Sequence, residues 1–329
     1  MPVRPTRRSV VTSLLTLPML GRAAPAWSST SEPYPSKTIR IIVPFLAGGA
    51  ADIVARVVAE NLSRMLGQPV ICDNRPGAGS NIGTEQAAKS PADGYTLLIQ
   101  GNPLGSNQFL YKTIGYDPLK SFAPIAMHYR DFNILIVHPT FPANSVKDII
   151  ALAKQKPGEL TFASSGNGTS THLAGELFNQ MAGTKIVHVP YRGVPPAVTD
   201  VMGQQVNMMF AGYGVVSGLI KDGKLKGLAV TGSHRLKQAP DVPTVAETLP
   251  GFDATTWTGL FAPAGTPEPI IKQLNAAVNE ILQRPEIRHD LEKRGFITEI
   301  FTPERVMQEV MRDIRVYGDV IRKTGATLQ

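Results

Sequence analysis

The sequence predicts an α/β protein of two lobes, with a ligand cleft between the lobes and a double crossover of the chain. Three observations predict it. Apolar strand-like runs alternate with segments of helical periodicity. The alternation passes through two rounds of similar build. Each round holds a glycine-rich turn leading from a strand into a helix.

The N-terminus reads as an export signal. Arg4, Arg7 and Arg8 precede a short apolar run over residues 10–20, and Ala24-Pro25-Ala26 has the small-x-small pattern of a signal-peptidase site. The run is too short to span a bilayer. Residues 1–26 are therefore expected to be cleaved near Ala26, and the protein to reach the periplasm. The adjacent Arg7 and Arg8 suit a twin-arginine signal, but such pairs occur in general signals too, so the route stays open.

The first round starts with a buried-strand run at residues 39–43. Residues 50–66 follow with Ile53, Val54, Val57, Val58, Leu62 and Met65 at helical spacing, and Gly67 supplies the stop. Residues 70–72 form the next strand. The turn Pro76-Gly77-Ala78-Gly79 leads into a helix over 81–89, and residues 95–99 form a third strand. This order implies a mainly parallel sheet covered on both faces.

The second round has strands at 134–137, 160–163, 186–189, 206–210 and 228–230, with helices at 146–156 and 170–181. After a proline-rich stretch, residues 258–261 read as a strand, and three helices (269–282, 285–294 and 303–323) finish the chain. The expected lobes are residues 27–129 with 254–329, and residues 130–253. Such a hinge suits a ligand site in the cleft.

The formal charge is +7, from 33 basic and 26 acidic residues. Taking away Arg4, Arg7, Arg8 and Arg22 with the signal leaves 29 basic residues against 26 acidic, a net +3. Without a dense basic run, this argues against a nucleic-acid partner. Cys72 is the single cysteine, so no internal disulfide forms.

Two turns carry the binding chemistry. The first contains Phe45, Ala47, Gly48, Gly49 and Asp52. Its glycines let backbone N–H groups approach a ligand, and the following helix start carries unpaired donors and partial positive charge. Asp52 caps the helix or orients the loop. The second contains Ser165, Gly166, Gly168, Thr169 and His172, and adds hydroxyl donors. Either turn alone also fits an ordinary capped βα connection. One per lobe, both at the carboxyl ends of strands, points to an anion held between two helix N-termini. Tyr191 and Tyr213 are candidate cleft-lining aromatics, whereas Arg192 reads as a solvated surface residue and Trp257 as interlobe packing.

Other motifs fall short. The turn from Gly77 to Gly83 has one residue too many for a dinucleotide fingerprint, and reads as a tight turn against the cleft. The six histidines lack metal-ligand spacing, so no metal or other cofactor is expected. No Gly-x-Ser-x-Gly elbow or other catalytic motif is present.

An ordered series of motifs then resembles one family. It runs through Tyr34-Pro35-Ser36-Lys37-Thr38-Ile39-Arg40, Val43-Pro44-Phe45 with Ala47-Gly48-Gly49, and Asp73-Asn74-Arg75-Pro76-Gly77-Ala78-Gly79. It continues with Asp93-Gly94-Tyr95-Thr96-Leu97-Leu98, His188-Val189-Pro190-Tyr191, Asp241-Val242-Pro243-Thr244 and Ala262-Pro263-Ala264-Gly265-Thr266-Pro267. The chain resembles the Bug, or TctC-type, receptors of tripartite tricarboxylate transporters. The resemblance implies a type II-like periplasmic-binding-protein fold, with no catalytic activity. It implies a small organic carboxylate (a di- or tricarboxylate, acidic amino acid or aromatic acid) held by the loops matching residues 45–49 and 165–169. It also implies delivery to the membrane permease subunits, and a monomer is expected. Leu46 stands where the family often has proline or alanine, and Arg192 where lysine is usual. A sensor that presents its ligand to a signalling partner would share this fold. An exported enzyme would need a catalytic set that the sequence does not display.

Overall fold

The computed structural model describes Met1 and residues 33–324; the expected signal and its cleavage site near Ala26 lie outside the described segment. Among the described residues no helix is long and apolar enough to cross a membrane.

Elements follow in chain order: β1 (Ile39–Val43), α1 (Ala50–Leu66), β2 (Val70–Asn74), α2 (Asn81–Ala88), β3 (Thr96–Gly101), α3 (Pro103–Leu110), β4 (Phe122–Asp131) and β5 (Asn133–Val137). Then come α4 (Val146–Gln155), β6 (Thr161–Ser164), α5 (Ser170–Ala182), β7 (Val187–Pro190), α6 (Val194–Met202), β8 (Met208–Gly212), α7 (Tyr213–Lys221) and β9 (Lys226–Val230). The chain closes with β10 (Thr256–Pro263), α8 (Glu268–Gln283), α9 (Pro285–Lys293) and α10 (Pro303–Thr324).

These make two lobes, each built on a five-stranded sheet. The orders are β2-β1-β3-β10-β4 and β7-β6-β8-β5-β9. In each sheet one strand runs against the rest. β10 is antiparallel to β3 and β4, and β5 is antiparallel to β8 and β9. The two reversed strands are the ones the chain enters directly from the other lobe. A chain leaving one lobe at the carboxyl edge of its parallel strands reaches the other lobe at the same edge, and must run backwards through that sheet. The change at Phe132 is the tighter one, since β4 ends at Asp131 and β5 begins at Asn133.

Both faces of each sheet are covered, which explains why β1 reads as an unbroken apolar run. In the first lobe Ile41 packs with Val54, Val58, Leu274 and Val278 from α1 and α8. Its neighbour Ile42 faces the other way, into a core with Leu104, Val306 and Val310 from α3 and α10. Both isoleucines are fully buried, each stabilising the fold by about 1.5–3 kcal/mol. The second lobe repeats the scheme. Phe162 and Phe210 pack with Ile149 and Phe178 on one face, and Ile134 and Met209 pack with Val198 and Val216 on the other.

Four elements differ from the sequence expectation. β4 was hidden because His128, Tyr129, Arg130 and Asp131 interrupt its apolar pattern. α3 and α7 are short and carry internal Gly105, Gly214 and Gly218. α6 opens on Val194-Pro195-Pro196, which reads as a loop, although proline is tolerated in a first helical turn.

Candidate functional site

A cavity of about 670 Å³ lies between the lobes, at the carboxyl edges of both sheets. Its wall is built mainly from helix beginnings. Gly49, Ala50 and Ala51 open α1, Asn102 and Pro103 open α3, and Thr169, Ser170 and Thr171 open α5. Gly193 and Val194 open α6, and Gly212 opens α7. None of these five N-termini receives a hydrogen bond from a capping side chain. Each helix places partial positive charge, nominally about half a unit, at that end. The α1 and α5 first turns carry free N–H groups. Pro103, Pro195 and Pro196 have no N–H, so α3 and α6 add mostly their field.

The lining contains no lysine, arginine or histidine, and Asp131 is its only acidic side chain. An anion held here is held by backbone donors, hydroxyls and helix fields. Phe45, Leu46, Val194, Val215 and Trp257 supply the apolar wall.

The loop before α1 is shaped by Asp52. Its carboxylate accepts the Gly48 N–H at 3.0 Å, Arg56 Nε at 2.9 Å and Asn74 Nδ2 at 2.9 Å. Burial would raise its pKa, but these donors outweigh burial and hold the carboxyl below the usual value. Arg56 neutralises this charge locally, so Asp52 does not consume the anion-attracting end of α1.

The loop before α5 is shaped from beneath by a histidine pair. The Gly168 N–H donates to His172 Nδ1 at 3.1 Å, and the His172 ring lies 4.1 Å from that of His188. His188 Nε2 in turn sits 2.6 Å from Ser164 Oγ. Burial pushes His172 down to about 4 and His188 down to about 3, so both rings are neutral near pH 7. Thr171 Oγ1 accepts the Ser165 N–H at 2.9 Å and Thr169 Oγ1 donates to Gly166 O at 2.6 Å.

The lobes touch across the cavity. Ser106 Oγ of α3 donates to Gly168 O at 3.0 Å. Gly79 packs so tightly that a Cβ there would meet Asn167 O at 2.2 Å, and a Cβ on Gly168 would meet Asn107 Oδ1 at 2.0 Å. Asn107 is itself fixed by donating to Gly79 O at 2.9 Å and Asn81 Oδ1 at 2.8 Å. The two lobes are in direct contact here, through α3 and the turn at Gly79 on one side and the loop before α5 on the other.

The expected site residues fall into three groups. Phe45, Gly49, Ser165 and Thr169 stand on the cavity wall. Ala47 and Gly48 are exposed and off the cavity wall, and Gly166, Gly168, Asp52 and His172 shape the loops without lining the cavity. Of the two roles open to His172, reaching a ligand or hydrogen-bonding locally, the structure shows the local one, because the ring is buried and accepts from Gly168. Tyr191 and Tyr213 do not line the cavity either. The Tyr191 hydroxyl donates to Asp200 Oδ2 at 2.6 Å, and the Tyr213 hydroxyl donates to Gln238 O at 3.3 Å. Arg192 is exposed.

Sequence reasoning missed Asn102, Asp131, Asn133, Gly193, Val194 and Gly212. Asn102 joins a buried network: its Nδ2 donates to Asp313 Oδ2 at 2.8 Å, and Trp257 Nε1 donates to the same oxygen at 2.8 Å. Burial pushes Asp313 up to about 7. This network ties α10 to the cavity wall. A second hollow behind the hinge is lined by Arg130, Asp253, Glu299, Arg305, Glu309 and Arg312, whose charges pair among themselves. No group of residues suited to hold a metal ion occurs among the described residues.

Comparison with known proteins gives one consistent result. The tripartite tricarboxylate transporter family receptor matches residues 54–326. Among similar solved structures, R. palustris Rpa4515 with adipate is 34% identical, with a TM-score of 0.86, covering 89% of this chain and 98% of that one. MatC from Rhodopseudomonas palustris with bound malate is 32% identical, with a TM-score of 0.84, covering 88% and 100%. The periplasmic binding protein BugD is 32% identical, with a TM-score of 0.84, covering 90% and 100%.

Proposed function

The chain belongs to the tripartite tricarboxylate transporter receptor family, and we propose that it captures a small organic carboxylate between its lobes and delivers it to the membrane permease of such a transporter. It does so in the periplasm, as a monomer, without bond chemistry. The observation that carries the reading is the convergence of five uncapped helix N-termini on a cavity whose lining has no basic side chain. Such a site favours an anion through fixed backbone donors. Adipate and malate in the related structures support a carboxylate as that anion.

In this reading the lobes, residues 27–129 with 254–329 and residues 130–253, close on the acid. Phe45, Gly49, Ser165 and Thr169 meet it, with the first-turn N–H groups of α1 and α5 as principal donors. Asp52 and His172 hold the two loops in shape. Closure excludes water and strengthens each polar contact.

A thermal-shift screen tests this directly. The mature protein is titrated with di- and tricarboxylates, acidic amino acids and aromatic acids, each beside its uncharged amide. A saturable rise with one acid and none with its amide is expected; at 100 times Kd the linkage amounts to about 2.7 kcal/mol. No rise with any acid, or an equal rise with the amides, would contradict the proposal.

A further inference from the structure

Tyr129 and Asp131 close β4 and Asn133 opens β5 across the lobe change at Phe132, and all three line the cavity. Asp131 is wholly buried, and neither of its carboxylate oxygens has a hydrogen-bond partner. Burial pushes the carboxyl well above its usual pKa, and the Phe132 N–H, which opposes this, does not reach hydrogen-bonding geometry. Beside it, Asn133 Nδ2 is likewise buried without a partner. The carboxylate is wedged at the lobe interface, where a Cβ on Gly212 would lie 2.6 Å from Asp131 Oδ2 and 3.8 Å from Ala50 Cβ.

A buried carboxylate with no partner is costly, and the wall offers it no cation. The helix N-termini and hydroxyls of the wall favour an anion. The missing donor is therefore one that the bound molecule brings. We propose that Asp131 and Asn133 form a subsite for a protonated nitrogen of the ligand, so that the preferred acid carries an ammonium or comparable N–H cation together with its carboxylate. This rests on the carboxylate reading above and narrows it. The ligand's carboxylate takes the helix N-termini, and its nitrogen donates to Asp131. Asn133 has the hydrogen-bonding capacity to orient an adjacent polar group. A dicarboxylate would instead set a second negative charge beside Asp131.

Isothermal titration calorimetry tests the proposal with matched probes of equal chain length. These are monocarboxylates from butanoate to hexanoate, the α- and ω-amino acids of the same lengths, and the dicarboxylates from succinate to adipate. Each is titrated into the wild-type protein and Asp131→Asn, in two buffers of different ionisation enthalpy. An amino acid is expected to bind the wild type more tightly than the matching monoacid and diacid, with no net proton uptake. Asp131→Asn should weaken that amino acid roughly 30-fold or more, while the monoacid binds as tightly as before or more tightly, because a negative charge has left the wall. The variant's melting temperature without ligand should not fall, since an unpaired buried acid becomes a neutral amide. A wild type that prefers the dicarboxylate and takes up one proton on binding it would overturn the subsite, because Asp131 would then be a neutral donor. An unchanged ranking in Asp131→Asn would overturn it too. Failure of all acids, monoacids included, would overturn the carboxylate reading and this subsite with it; binding of acids without preference for nitrogen would overturn the subsite alone.

Discussion

Gly168→Ala should uncouple ligand affinity from folding. Gly168 has φ of +78°, and a Cβ there would sit 2.0 Å from Asn107 Oδ1 and 2.8 Å from Leu110 Cδ1. Ordinary contact needs about 3.5 Å, so the closed lobes must part or Asn107 must swing away. Swinging away gives up the Asn107 hydrogen bonds to Gly79 O and Asn81 Oδ1. At about 1 kcal/mol each, closure loses about 2 kcal/mol, or roughly 30-fold in affinity. The left-handed backbone costs alanine a further 1–2 kcal/mol or so. That cost falls on the loop whether the lobes are open or closed, so it lowers the melting temperature and not the affinity. Calorimetric titration with the acid identified by thermal shift reads the first quantity, and scanning calorimetry without ligand reads the second. Small-angle scattering at saturating ligand should show a less compact molecule than wild type. Wild-type affinity in Gly168→Ala would refute the closed contact as the basis of binding.

Gly48→Ala should be milder, because Gly48 is exposed and an added Cβ meets only Pro195 Cγ, at 3.9 Å; titration should give less than a tenfold loss, and abolished binding would contradict the geometry. The histidine pair sets a pH dependence. His172 and His188 are depressed to about 4 and about 3, so between pH 6.5 and 4 the unfolded chain binds more protons than the folded one. Stability from the neutral pair is fully present above about 6.5 and is lost as pH falls through that window. Glu176, raised to about 7 by burial, works in the opposite sense, gaining stability as pH falls from 7 towards 4.5. The difference in melting temperature between wild type and His172→Gln/His188→Gln reads the histidines together with their contact to Glu176, whose Oε1 lies 3.7 Å from His172 Nε2. Wild type should lose ground against the variant from pH 6.5 to 4, and a pH-independent difference would count against the buried neutral pair.

The two-lobed fold was legible because both sheets are buried on both faces. Runs such as Ile39 to Val43 and Ile134 to Val137 therefore stand out without alternation. The two loops were legible because Gly48, Gly49, Gly166 and Gly168 cluster between a strand and a helix. The other half of the cavity wall was not. Gly193 and Gly212 are single glycines, and the helices they open begin with prolines or carry glycines inside. Asp131 lies in a strand whose charged and polar residues disguise it, and its partnerless burial is a tertiary property. The aromatics Tyr191 and Tyr213 are close in sequence to wall residues Gly193 and Gly212, but their hydroxyls are drawn to Asp200 and Gln238. Position along the chain pointed to the cavity wall, but these two side chains do not line it.

Anion capture by the helix N-termini is tested most directly by a crystal structure of the mature protein with the acid identified by thermal shift. The carboxylate oxygens should lie within about 3.2 Å of first-turn N–H groups of α1 and α5, among residues 50–52 and 170–172, with no lysine or arginine touching them. An acid bound outside the cavity, or held there by a basic side chain with those N–H groups unused, would contradict it.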